Sequence, residues 1–413
     1  MKVLFFSADS NGGYPIPAVL GGAVSALVEK LLSENNDKQN LDFTIVSFYD
    51  PQAKTIAELK YPNVRFIWVK IPKAIRFLDK VVFDYIKKYR KSQKAVSFKS
   101  IFSLLLYIVK ARMLVRRENS DCIVLENNIP LALILKGNRF HARVCYHLHN
   151  VPRINAKCRD VFNRVDDYIC VSGFVANEVA KKTNPIGPVP NEKLKILYNC
   201  VDTNEFRPIE RESQTLSVYQ KRYSIKDNDF VIVFIGRLTA EKGADLLLKA
   251  AKYVNSERIH ILIVGSFHYN DAEKTSYQEY LQELSKDIRG KVTFTGYVRN
   301  DELQYVYNLA DLAVLPSMWD EPAGLTNIEA MSCGIPVITT NSGGIKEYVG
   351  DAAIVVERGK NTAKDIAKSI KTLMENDALR ENYSLRARER VINNFDKKKY
   401  YQNFCKMIEE SED

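Results

Sequence analysis

The sequence predicts an α/β protein made of two Rossmann-like domains facing each other across a cleft. Three observations carry that expectation. Short β-branched runs recur from one end of the chain to the other, and most are apolar without alternation, the signature of strands buried on both faces of a parallel sheet. Between them lie helical patterns, so strand and helix alternate as a covered parallel sheet requires. Near residues 200 to 228 the pattern breaks, because "NCVDTNEFRPIERESQTLSVYQKRYSIKDND" is polar and strand-free and is followed by a fresh strand–loop–helix start. At 413 residues the chain is also too long for one ordinary core.

Taken in order, the first half offers strands at "KVLFFSA" (Lys2), "DFTIVSF" (Asp42), "VRFIWV" (Val64), "DCIVLE" (Asp121), "DYICVS" (Asp167) and "KLKILYN" (Lys193). After the first of these, Gly21, Gly22 and Ala23 open a helix through "SALVEKLL", and such small residues let a phosphate or sugar press against backbone amides. The spacing is not G-x-G-x-x-G and no acid ends the second strand, which argues against a nicotinamide enzyme. "CYHLHN" places His147 and His149 at another strand end facing the expected cleft, where a histidine serves either structure or catalysis. The second half repeats the scheme with "FVIVFIG" (Phe230), "IHILIVG" (Ile259), "KVTFTG" (Lys291), "DLAVLP" (Asp311), "PVITT" (Pro336) and "AAIVVE" (Ala352), and ends in a strongly helical segment.

Composition narrows the classes. With 46% apolar and 27% charged residues the chain reads as a soluble globular protein, and its start has too brief an apolar run for a secretory signal. No stretch approaches the ~20 apolar residues that span a bilayer. Seven cysteines without paired spacing read as reduced core thiols, neither a zinc site nor a disulfide framework. The net charge of +10 is concentrated, since residues 70–117 hold fourteen Lys and Arg against Asp79 and Asp84 alone. Interleaved with Phe77, Phe83, Tyr85, Phe98 and Phe102, these bases suit an anionic membrane surface or an anionic lipid headgroup, or else two amphipathic helices with solvated lysines. No nucleic-acid motif accompanies them.

Three strand ends of the second half carry candidate chemistry. "FIGRLTAEKG" presents Arg237 and then Lys242, a fork and a point charge for phosphate oxygens. "NSGGIKEYVG" supplies Ser342, Gly343 and Gly344 for close backbone approach. "EPAGLTNIEAMSCG" sets Glu321 and Glu329 on either side of a helix start. Helix N-termini suit anions, whereas two flanking carboxylates repel them unless each holds its own neutral hydroxyl. A sugar nucleotide meets that requirement, with Glu321 on hexose hydroxyls and Glu329 on the ribose diol. The amides of Gly324, Leu325 and Thr326 then face the pyrophosphate, with Arg237 and Lys242 neutralising it. No metal is needed, and no Asp-x-Asp pair ends a strand.

At these residues the chain resembles the retaining GT-B glycosyltransferases of family 4. "NCVDTNEFRP" is similar to the family's linker, with Cys200 in place of a glycine; "GRLTAEKG" is similar to its G-R-x(4)-K-G element; Glu321 to Glu329 matches its E-x(7)-E signature. The first half matches at "GGAVSALVEKL" and loosely at "HLHN" and "CVSGFVANEV". The resemblance implies an acceptor-binding domain (1–203), a domain binding the nucleotide sugar (204–390) and a C-terminal helix (391–413) crossing back to the first. It implies a UDP-linked donor without a further cofactor and metal-independent transfer of a hexose with retention. It assigns Arg237 and Lys242 to the diphosphate, Glu329 to ribose, and Glu321 and His149 to catalysis at the donor sugar. Asn150 stands where many relatives carry Asp, and Pro-Ala-Gly follows Glu321 where Ser-Phe-Gly or Pro-Phe-Gly is frequent. The expected acceptor is a glycan or lipid-linked glycan, at the inner face of the cell membrane, in cell-surface polysaccharide synthesis. A nucleotide-sugar epimerase or phosphorylase of the same architecture, or a non-catalytic membrane-surface partner, are the competing readings.

Overall fold

The structure is a computed structural model that describes residues 1–9, 14–19, 22–89, 99–138, 141–265 and 276–409. The expectation placed on Gly21 lies outside the described residues, as do positions 90–98 of the basic segment.

The chain forms two compact units, residues 1–198 with 397–413, and residues 199–396. The first unit is built on seven parallel strands: β1 (Lys2–Ser7), β2 (Asp42–Phe48), β3 (Arg65–Val69), β4 (Cys122–Glu126), β5 (Arg143–Leu148), β6 (Asp167–Cys170) and β7 (Leu194–Ile196). Their order is β3-β2-β1-β4-β5-β6-β7. The second unit has six: β8 (Phe230–Ile235), β9 (Ile259–Val264), β10 (Lys291–Gly296), β11 (Leu312–Leu315), β12 (Val337–Thr340) and β13 (Ile354–Val356), in the order β10-β9-β8-β11-β12-β13. Every pairing is parallel.

The apolar runs form these strands because both faces are covered. All six residues of β8 and of β9 are buried. Helix Ala244–Val254 packs on that sheet through Ala244, Leu247, Leu248 and Ala251, the i, i+3, i+4, i+7 spacing of a single helical face. Helix Thr362–Glu375 adds Ile366, Ile370 and Leu373 to the same core. In each sheet the strand order reverses once, between β1 and β4 and between β8 and β11. Loops leaving the carboxyl ends of strands at such a reversal splay apart and leave room for a ligand.

The strongly helical C-terminal stretch is two helices, Asp377–Asn394 and Lys397–Glu409, broken at Phe395 and Asp396. The second lies in the first unit, where Phe404 meets Phe5 at 5.7 Å between ring centroids and the Tyr401 hydroxyl donates to Asn35 Oδ1 at 2.7 Å. The units divide at 198/199 and 396/397, a few residues from the 203/204 and 390/391 read from the linker motif. Hydrogen bonds explain the difference. Val201 N donates to Phe395 O, Thr203 Oγ1 donates to Asp396 Oδ2, and Arg388 donates to Thr203 O and Phe206 O. The start of the linker is thereby sewn into the second unit. All seven cysteines are free and buried.

Candidate active site

In the second unit the site is assembled at the reversal between β8 and β11. A short helical turn, Ala240–Lys242, follows β8 and ends at Gly243, whose φ of +74° admits a helix start one residue later. A Cβ at Gly243 would lie 2.0 Å from Pro316 O, so only glycine lets this turn seat against the loop after β11. Two further contacts hold the seat: Met318 N donates to Glu241 O at 2.7 Å, and Ser317 Oγ approaches the same carbonyl at 3.3 Å. The turn thus delivers Lys242 to the loop that carries Glu321.

Lys242 Nζ and Glu321 Oε1 stand 2.5 Å apart, and Ser317 Oγ donates to the same carboxylate oxygen at 2.8 Å. Both ends are mostly shielded from water, with side-chain exposures of 24% for Lys242 and 11% for Glu321. The Glu321 backbone is fixed too. Gly344 N donates to Glu321 O at 2.7 Å, and at Gly343, with φ +56°, a Cβ would come within 2.4 Å of that oxygen. Buried Thr340 and Ser342 hydroxyls both donate to Ser317 O, which pins the root of the loop.

A cavity of about 150 Å³ opens here, lined by Lys242, Ser317, Glu321, Gly324, Leu325 and Thr326 among others. Helix Leu325–Ser332 begins at its wall with Gly324 as N-cap, and no side chain caps it. Its first N–H groups are therefore available to an anion. The sequence assigned Lys242 and Glu321 to different parts of a ligand; the structure pairs them directly.

Arg237 and Glu329 do not line this cavity. Arg237 is exposed just beyond the end of β8, and its guanidinium forms no ion pair among the described residues. Glu329 lies one turn into the helix, where the Tyr307 hydroxyl donates to its Oε2 at 3.0 Å. Burial, reinforced by the Glu329 charge, holds the Tyr307 phenol well above its ordinary range, so it stays a proton donor.

In the first unit His149 stands just past β5, and its partner is a residue the sequence reading did not single out. Glu126 ends β4 in register with His147 of β5. Its Oε2 lies 3.0 Å from His149 Nε2 and its Oε1 lies 3.2 Å from His147 Nδ1, with the imidazoles 4.1 Å apart. The signal was present as an acid at a strand end beside the strand end that bears the histidines. Burial pushes the Glu126 carboxyl up, but the two histidines outweigh it and hold the group at about 2. Burial and the neighbouring His147 press His149 down to about 4, against the pull of Glu126. At neutral pH a carboxylate therefore faces a neutral imidazole. A carboxylate only accepts, so the His149 proton sits on Nε2 and Nδ1 is left as an acceptor. The three donor atoms also lie within 4.8 Å of one another, a spacing that a metal ion could bridge, although the hydrogen bonds already engage both Glu126 oxygens. Gly22, the other small-residue candidate of this unit, is the N-cap of helix Ala23–Lys38.

Comparison with known proteins gives this geometry a family. The model described as "Glycosyl transferases group 1" matches residues 218–390, and that described as "Glycosyltransferase Family 4" matches residues 80–205. The chain belongs to the GT-B glycosyltransferases. This glycosyltransferase is 26% identical over 401 residues to the Bacillus subtilis protein YtcC, covering 95% of this chain and 88% of that one. It is 25% identical over 312 residues to the lipopolysaccharide 1,2-N-acetylglucosaminetransferase of Salmonella typhimurium, covering 70% of this chain and 77% of that one. The fold is shared with Anabaena HepE, whose crystal structure holds UDP and glucose, at a TM-score of 0.70, 19% identity and full coverage of both chains.

Proposed function

We propose that this glycosyltransferase moves a hexose from a UDP-linked sugar to a glycan or lipid-linked acceptor, with retention of anomeric configuration and without a metal. The observation that carries the proposal is the Lys242–Glu321 pair at a cavity whose wall is an uncapped helix N-terminus. A diphosphate entering this cavity meets the Lys242 ammonium and the first amides of helix Leu325–Ser332, and Arg237 adds its fork from the neighbouring strand end. Glu321 accepts hydrogen bonds from the donor hexose, as its position beside Lys242 and Ser317 favours. Glu329, oriented by Tyr307, takes the ribose diol. Lys242, Arg237 and the helix amides place positive charge where the departing phosphate becomes more negative, which is the principal electrostatic demand of the step.

In the retaining step the anomeric carbon–oxygen bond to phosphate breaks and a bond to the acceptor oxygen forms on the same face. The leaving phosphate oxygen takes the acceptor proton. His149, neutral and with Nδ1 free to accept, receives a sugar hydroxyl. The setting is proposed to be the inner face of the cell membrane, in cell-surface polysaccharide synthesis. Supporting it, helix Lys73–Tyr89 exposes Phe77, Leu78 and Val81 among its lysines.

A panel of UDP- and GDP-linked sugars, scored first by thermal stabilisation and then by transfer, tests the reading. A true donor at a hundredfold excess over its Kd adds about 2.7 kcal/mol. The product's anomeric proton coupling should match that of the donor. Failure of every nucleotide sugar to stabilise the protein, or an inverted product, contradicts the proposal.

A further inference from the structure

A second cavity, of about 340 Å³, lies in the first unit at the carboxyl ends of β2 and β3. It is bounded by Phe48 and Tyr49, by helix Lys73–Tyr89, and by the start of helix Ile101–Val115. Three cations line it, Arg76 and Lys80 one turn apart on the first helix and Lys99 just before the second. All three are exposed and none forms an ion pair among the described residues.

The two acids of the cavity do not answer them. Asp79 is buried and spends its carboxylate on the second helix, accepting from Phe102 N at 2.8 Å, Ser103 N at 3.2 Å and Ser103 Oγ at 2.5 Å. Asp50 accepts from Gln52 N at 2.9 Å and Ala53 N at 3.1 Å, capping helix Pro51–Lys60. Each acid therefore neutralises a helix N-terminus and leaves the cations to a ligand.

The surface beside the cavity is apolar. Phe77, Leu78 and Val81, exposed by 66%, 45% and 47%, flank the Arg76 and Lys80 stripe on its own helix. On the helix packed against it, Leu105, Val109 and Met113 repeat at i, i+4, i+8 with exposures of 48%, 56% and 48%. Exposed apolar residues in such a run mark a contact surface, and lysines at its margin select an anionic one.

From this juxtaposition we infer that the cavity binds the phosphate head of a lipid, while the adjoining apolar residues of both helices enter the hydrocarbon margin of the bilayer that carries it. An arginine fork with two lysine point charges matches a terminal phosphate or diphosphate better than a diester buried between two substituents. The assignment rests on the acceptor side of the proposed function and sharpens it to a phosphorylated lipid.

The test needs no donor sugar. The full chain is centrifuged with vesicles of phosphatidylcholine alone, of phosphatidylcholine with phosphatidic acid, and of phosphatidylcholine with phosphatidylglycerol at equal surface charge. Stronger recovery on phosphatidic acid, whose phosphate is terminal, is the expected result. At about fivefold in affinity per base near an anionic surface, Arg76→Ala/Lys80→Ala/Lys99→Ala should lose about a hundredfold and the phosphatidic-acid preference. Phe77→Ser/Val81→Ser should weaken recovery on both anionic vesicles, with far-UV circular dichroism and melting confirming that each variant folds. Equal recovery on both anionic lipids, an unchanged triple variant, or calorimetric binding of inorganic diphosphate that is as tight as that of phosphatidic-acid vesicles and is lost in the triple variant overturns the inference. Stabilisation by nucleotide sugars is read separately, so loss of lipid binding with donor binding intact refutes this site alone.

Discussion

Lys242 and Glu321 bring opposite charges into a pocket with little water, where each depends on the other. Removing one leaves the other without its partner, and for fully buried pairs that costs about 3–5 kcal/mol. The residual exposure of Lys242 reduces the penalty, so Lys242→Met should destabilise the protein by about 2 kcal/mol in urea titration and remove donor binding. Gly343→Ala should cost about 2–3 kcal/mol in the same titration, because a methyl group would press on the Glu321 carbonyl from a left-handed backbone. His149 gives a pH prediction whose sign follows from its depressed value. Held at about 4 when folded against its ordinary 6.5, it binds a proton more readily when unfolded. Its contribution, on the order of 3 kcal/mol, is present above pH 6.5 and fades as pH falls through 4. Melting temperature should drop over that window, and His149→Gln should flatten the drop. Glu126→Gln should move the His149 proton toward Nδ1, read in its nitrogen-15 shifts, and lower kcat more than it raises KM; unchanged shifts would mean that Glu126 only packs. At this scale the sequence showed the charges but not their holders. Lys242, Glu321 and His149 stand out as polar groups at strand ends, and Glu126 is a strand-end acid whose histidine partners only strand order reveals, whereas Ser317 and Tyr307 are named only by distances that folding creates.

Among the elements, those with strong periodicity were legible and those held by long-range bonds were not. Strands such as β8 and β9 announced themselves because six consecutive buried positions leave an uninterrupted apolar run. The start of helix Leu325–Ser332 was legible from Gly324 and the flanking acids. The break at Phe395 was hidden inside a polar helical pattern, since its cause is the bridge from Val201 to Asp396 nearly two hundred residues away in sequence. Arg388 secures the same region by donating to the carbonyls of Thr203, Phe206 and Ser332, at 2.9, 2.8 and 2.6 Å. Three carbonyls lose a charged donor in Arg388→Leu, and a loss of about 3 kcal/mol is expected in chemical denaturation. A loss below about 0.5 kcal/mol, the range of a surface change, would show that water replaces the guanidinium freely.

For the molecule as a whole, two parallel sheets, each with one reversal of strand order, hold two separate sets of chemistry. The second unit carries the paired charges and the open helix N-terminus, and the first carries the histidine–glutamate cluster and the cation-lined cavity. This partition was legible from the polar break and the strand-end motifs, because both arise from short stretches of sequence. The cation-lined cavity was not, since its residues come from three elements and its acids are silenced by caps that only folding forms. The central claim, that the second unit holds the nucleotide part of a donor sugar, is tested most directly by calorimetric titration with UDP. Binding by the unaltered chain, with a loss of about tenfold or more in Lys242→Ala and in Glu329→Ala, is the predicted result, a single lost charge-assisted hydrogen bond being worth about that factor. Equal affinity in all three proteins would contradict it.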